Sequence, residues 1–127
     1  MKRKLIIASI VLVLAIPNTP IIGTEILYRI DEGYFRYANN DASLTVVEHI
    51  DIFSPWMNKW VTWGFIEDQR PTSENMEVFR LYRINPLCFW RWRYYLIVSR
   101  HFDYKSWKDI EPNRVPYDPE NFRWQRF

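Results

Sequence analysis

A chain of 127 residues with one cysteine and three glycines fits a single domain of the usual ~100 to 200 residues, cannot close an intrachain disulfide, and has little glycine with which to shape a catalytic or phosphate-binding loop. Its net charge of +2 hides a division: residues 24–77 carry 4 basic against 10 acidic side chains, whereas 78–127 carry 10 basic against 5 acidic. Aromatic residues are 18% of the chain and all lie beyond residue 24, so the folded part must place many large rings whose indole N–H and phenol O–H groups need partners when buried.

The chain opens on Lys2, Arg3 and Lys4, followed by an apolar stretch of 12 residues from Leu5 to Ile16. That length suits the core of a signal peptide. Continued past Pro17 and Pro20 to Leu27, the stretch reaches 23 residues, enough for a kinked helix to cross ~30 Å of hydrocarbon. A small-x-small cleavage pattern is missing, which favours an uncleaved anchor over a cleaved signal. In either case the basic start lies on the cytoplasmic side and the rest of the chain outside, in the periplasm of a bacterium, or secreted if the leader is removed. The expected organisation is a leader over 1–23 contacting the membrane through residues 5–27, an aromatic-rich domain over 24–111, and an extended proline-containing tail over 112–127.

Within the domain, Ile26, Leu27, Ile30 and Tyr34 fall at helical spacing, and Thr24–Tyr37 reads as a helix weakened by Gly33. Turn residues at Asn39, Asn40 and Asp41 precede a β-branched, alternating run over Leu44–Phe53, which reads as a strand. Ser54 and Pro55 suit a helix start and Gly64 a stop. Between them Trp56, Trp60 and Trp63 occupy one helical face, where they serve either as core or as a surface for a partner. After a polar loop, Met76–Ile84 alternates as a strand, with Phe79 and Leu81 on one face and Val78, Tyr82 and Ile84 on the other.

Asn85 and Pro86 repeat the cap-then-proline pattern, so Pro86–Val98 reads as a helix with Leu87, Trp90, Tyr94 and Ile97 as its apolar stripe. Residues 78–102 hold five arginines, no acidic residue and eight aromatics. A helix that is aromatic nearly all round cannot bury every ring on one small sheet, so Trp90, Arg91, Trp92 and Arg93 join the tryptophans at 56, 60 and 63 as candidate partner-binding residues. Aromatic-basic segments also serve as single-stranded nucleic-acid platforms, but a chain with an export leader would not meet that ligand. Ser106 and Asp109 form a capping-box variant for a last helix ended by Pro112. In the tail, Tyr117, Phe122, Trp124 and Phe127 are available to hold it to the domain.

The expected fold class is thus α+β: one membrane or signal helix, then two or three strands and three or four short helices. No catalytic residue, cofactor or metal is expected. Cys88 reads as a buried small hydrophobe, and its grouping with Ser99 and His101 lacks an oxyanion-shaping glycine. The functional expectation is a non-catalytic, membrane-tethered interaction module, an accessory subunit or an inhibitor or immunity-type protein, that binds another envelope protein through an aromatic-arginine surface. The alternative is a metal-binding protein or metal-dependent enzyme built on His49 with Asp51 and His101 with Asp103, since on a strand each pair would share a face.

Overall fold

The computed structural model describes residues 1–30, 34–49 and 57–127. It is α+β: five α-helices and a three-stranded antiparallel sheet among the described residues, with strand order β2-β1-β3.

The leader is two helices, α1 (Lys2–Ala15) and α2 (Pro20–Ile30), joined through a 3-10 turn at Ile16–Asn18. Pro17 and Pro20 lack the N–H that would continue α1, and Thr19 adopts extended backbone before α2 begins. The two arms meet at 83°. Gly23 permits this bend, because a Cβ there would lie 2.1 Å from the carbonyl oxygen of Pro17. Among the described residues no single helix is long and apolar enough to cross a membrane, although the bent pair passes by length and composition. The continuous kinked span expected over 5–27 is therefore a sharply broken one. α1 buries none of its residues.

The domain begins on β1 (Tyr34–Asn39), not on a helix reaching Tyr37. Here sheet burial overrides helical spacing: Phe35 and Tyr37 point into the core while Tyr34 and Arg36 face out, the two-residue period of a half-buried strand. β1 is central, pairing with β2 (Thr45–His49) and β3 (Val78–Arg80). Tyr37 sits opposite Val46 on one side and Arg80 on the other.

The β1–β2 connection is held by side chains imitating backbone. Asn39 Oδ1 accepts from Leu44 N at 3.0 Å, Asp41 Oδ1 accepts from Ser43 N at 3.0 Å, and Ala42 takes a left-handed φ of 53°. The expected continuation of β2 through Ile50–Phe53, the Ser54-Pro55 helix start and Trp56 lie outside the described residues.

β3 is shorter than the Met76–Ile84 strand expected. Arg80 turns the chain by donating through Nε to Phe102 O and through Nη1 to Tyr82 O, at 2.9 and 2.7 Å. Its backbone then bridges the 102–105 segment, with Arg80 N to Asp103 O at 2.9 Å and Lys105 N to Arg80 O at 3.1 Å.

Helix α3 (Met57–Gln69) runs through Gly64 instead of stopping there. The Gly64 position is filled from outside, the Trp124 ring edge lying 3.5 Å from where a Cβ would stand. The stop falls at Arg70, whose left-handed φ of 46° and N–H to Ile66 O form the terminating turn before Pro71. The expected Pro86–Val98 helix also starts late. Asn85 Oδ1 accepts from Leu87 N at 3.0 Å, making a turn of the segment that a cap-then-proline reading takes for a helix start. A 3-10 turn at Phe89–Arg91 then leads into α4 (Trp92–Ile97). The Ser106 cap is observed, accepting from Lys108 N at the start of α5 (Trp107–Ile110), and Pro112 lies in a further 3-10 turn at Glu111–Asn113.

The main core gathers Phe35, Tyr37, Leu44, Val46, Phe65 and Val78 with Tyr94, Tyr95, Val98, Phe102 and Trp124. In the tail, Trp124 is buried and Phe127 is half-buried against Trp107, whereas Tyr117 and Phe122 are exposed, so two of the four rings do the holding. Backbone and hydroxyl bonds complete the attachment: Thr45 N donates to Trp124 O at 2.8 Å, and Arg126 N donates to Thr45 Oγ1 at 2.7 Å.

Candidate functional site

The tryptophan and arginine residues singled out in the sequence divide by orientation. On α3, Trp60 is 66% and Trp63 56% exposed, and their rings meet edge to face at 6.1 Å between centroids. One helical turn apart, they form a small apolar step in solvent. In the 3-10 turn and α4, Trp90 packs half-buried against the core, and the Arg91 guanidinium lies 4.9 Å above the Phe35 ring. Trp92 faces outward with its indole N–H satisfied by Pro86 O at 2.7 Å. The backbone N–H of Arg93 is taken by Asn18.

That last contact is one the sequence reading missed. Asn18 Nδ2 donates to Leu14 O and to Phe89 O, both at 2.8 Å, and Asn18 Oδ1 accepts from Arg93 N at 2.8 Å. One side chain at the break of the leader thus supplies the cap that the first turn of α4 lacks from its own sequence, where Arg91 occupies the cap position. A turn-forming Asn beside Pro17 carries no sequence signal for a partner 75 residues away.

Behind α4 lies a second feature without sequence signature. A line of hydroxyls runs Ser99 Oγ to Tyr82 at 2.6 Å, Tyr82 to Tyr37 at 2.7 Å, Tyr37 to Tyr94 at 2.6 Å, and Tyr94 to Glu48 Oε2 at 2.7 Å. The carboxylate end sets the direction of every link. Tyr94 spends its only proton on Glu48, so Tyr37 must donate to Tyr94, Tyr82 to Tyr37, and Ser99 to Tyr82. Burial pushes the phenol of Tyr94 well above its ordinary range, reinforced by Tyr37 and Glu48. It does the same for Tyr37, with Tyr82 adding to the effect, and burial also raises Tyr82. The phenols therefore stay protonated and serve as a polar staple from β2 through β1 to the end of α4. Ser99 is fully buried in this line, Cys88 is half-buried and His101 is exposed.

His101 and the neighbouring exposed Asp103 lie in and just after a 3-10 turn, where a spacing of two no longer aligns side chains as it does on a strand. Asp51 lies outside the described residues. Among the described residues no group of three or more His, Cys, Asp and Glu side chains could hold a metal.

An open cleft of about 500 Å³ lies beside β1, between Tyr34, Arg36, Leu81, Tyr82, Trp107, Arg114 and Phe127. Its two guanidiniums are engaged with rings: Arg36 lies 5.2 Å above Phe127, and Arg114 lies 5.3 Å above Trp107 while its Nη2 donates to Phe127 O. The cleft works as a seam that packs the tail against β1. No protein-family model, no curated protein and no solved structure matches the chain, so the functional reading rests on this geometry alone.

Proposed function

We propose that this chain is a non-catalytic module tethered to a membrane by its leader, presenting an aromatic surface to another protein of the cell envelope. The observation that carries the reading is the exposure of α1. Leu5, Ile6, Ile7, Ile10, Val11, Leu12 and Val13 are each 55–60% exposed on a helix none of whose residues is buried. Each large apolar side chain left in water forgoes about 1.5–3 kcal/mol of burial, and a bilayer supplies that burial. Lys2–Asn18 is 17 residues, a reach of about 26 Å at ~1.5 Å per residue, near the short end for a span. Lys2, Arg3 and Lys4 extend that reach by snorkelling to the cytoplasmic headgroups, which leaves the domain outside.

Retention of the leader fits its contacts with the domain. Pro17 and Gly23 are buried, and removal of residues 1–23 would strip the Asn18 cap from α4. For the protein partner, the Trp60–Trp63 step is the favoured contact, since exposed tryptophans are over-represented among residues that dominate binding energy. Asp68 lies near the end of α3, five residues beyond Trp63 and about 140° round the helix from it at ~100° per residue. Its carboxyl is held below the usual carboxylate range by hydrogen bonds from Gln69 and from the Trp124 indole, keeping a negative charge at that end of α3 near neutral pH.

Intact mass of the protein from its native membrane fraction, followed by a pull-down in mild detergent, tests both parts. The reading expects the full-length mass, one stoichiometric membrane partner, and loss of that partner on Trp60→Ala with Trp63→Ala. A mass starting near Thr24 in the soluble fraction overturns the tether. A partner retained by the double variant moves the contact elsewhere.

A further inference from the structure

The face of the 87–96 segment that looks away from the core presents Leu87, 83% exposed, Leu96, 63% exposed, and Trp92, 38% exposed. Trp92 and Leu96 are one helical turn apart on α4, and Leu87 follows the Pro86 carbonyl that accepts the Trp92 indole proton. We infer that this face rests on the headgroup layer of an anionic bilayer, so that the domain lies against the membrane instead of swinging from it. The inference rests on the tether proposed above and deepens it by naming lipid as the occupant of this face.

Three observations favour lipid. The first is position: Asn18 binds Phe89 O and Arg93 N while also binding Leu14 O at the end of α1, so the segment is fastened where the apolar helix ends. Wherever α1 enters hydrocarbon, this face stands beside the point of entry. The second is the 83° bend, which lays α2 close to the bilayer plane when α1 stands along the normal. The first turn of α2 exposes Ile21 and Ile22, at 73% and 49%, and its later turns expose Glu25 and Arg29, a mixture suited to the interface. The third is charge: the 87–96 segment itself carries Arg91 and Arg93 and no acidic residue, and Arg100 stands exposed just beyond it, complementary to anionic headgroups. Trp92 suits that layer, its indole N–H already satisfied and its ring free to lie among the headgroups.

The test uses the full chain with Cys88→Ala, reconstituted into vesicles of phosphatidylglycerol and phosphatidylethanolamine. A nitroxide is placed in turn at Leu87→Cys, Leu96→Cys, Val11→Cys as a hydrocarbon reference, and Glu120→Cys as an aqueous one. Collision with oxygen against collision with a water-soluble nickel chelate reads the depth of each label, and circular dichroism checks that each variant keeps its helix content. Labels at 87 and 96 are expected at depths between those at 11 and 120. If both are as open to the nickel chelate as the label at 120 while the label at 11 is in hydrocarbon, the lipid face is overturned and the tether stands. A label at 11 open to water overturns the tether itself. Labels at 87 and 96 shielded in native membranes but open in protein-free vesicles would overturn lipid as the occupant and give the face to a protein.

Discussion

Two short helices of this molecule are rich in large rings, and they treat them in opposite ways. Helix α3 leaves Trp60 and Trp63 in solvent, while the 3-10 turn and α4 turn Trp90, Tyr94 and Tyr95 toward the core and leave only Trp92 outside. Ring content alone does not distinguish them. The difference lies in what waits on the inner side. Tyr94 stacks on Phe35 at 3.9 Å between centroids and finds Tyr37 and Glu48 for its hydroxyl, so both its apolar body and its polar tip are satisfied by burial. On α3 the inward position goes to Phe65, which meets Trp124 at 5.5 Å, and the tryptophans of the other face have no such receiving surface. Burial of Tyr94 follows from an inner surface that receives both its ring and its hydroxyl, which the solvent side of α3 does not offer Trp60 and Trp63.

The sharpest way to break the contrast is to remove the polar reward. Tyr94→Phe keeps the stacked ring but deprives Glu48 of a donor inside the core, and is expected to cost about 1–3 kcal/mol in urea unfolding. A cost near zero would mean that stacking alone orients α4. Alkali attacks the same line without mutation. The folded phenols of Tyr37, Tyr82 and Tyr94 are raised above the unfolded value of about 10, so their contribution is full below that pH and declines above it, by up to about 1.4 kcal/mol per pH unit for each of Tyr37 and Tyr94, with Tyr82 acting in the same direction. Denaturant midpoints measured from pH 9 to 11.5 should fall steeply beyond 10. With Tyr37→Phe the fall should be shallower.

Asn18→Ala asks whether α4 owes its start to the leader. Loss of a cap typically costs about 0.5–2 kcal/mol, and amide exchange at Arg93 and Tyr94 should accelerate relative to Val98. Unchanged exchange would show that the first turn of α4 stands without it. Trp60→Ala and Trp63→Ala complete the series with the smallest effect on folding, expected within about 0.5 kcal/mol because solvent-facing truncations disturb little. A cost of 2 kcal/mol or more by the same urea assay would place these rings in contacts that stabilise the domain and would end their candidacy as a binding step.

Local chemistry was legible where the signal and its partner sit within a few residues. The Ser106 cap, the turn at Asn39–Asp41, the strand over Thr45–His49 and the apolar leader all follow from neighbours along the chain. Readings failed where a distant group intervened. The helical spacing of Ile30 and Tyr34 gave way because β1 has strands on both sides to pair with, β2 along Tyr34–Ala38 and β3 along Tyr37–Asn39. Gly64 did not end α3; the stop fell at Arg70, which takes the left-handed φ of 46°. Asn85 and Pro86 made a turn, and the cap of α4 came from Asn18 across the fold.

The sequence by itself determined the class of the molecule: an apolar leader behind a basic start, one α+β domain held without a disulfide, and a charge division between its halves. Those are properties of composition and of short-range pattern, which survive any folding. Tertiary structure alone decided which rings are buried and which face solvent, how Ser99, three tyrosines and Glu48 align into one directed line, and that Asn18 of the leader caps α4. Each of those outcomes depends on atoms brought within 3 Å across dozens of residues, and no local preference of a side chain encodes which distant partner will arrive.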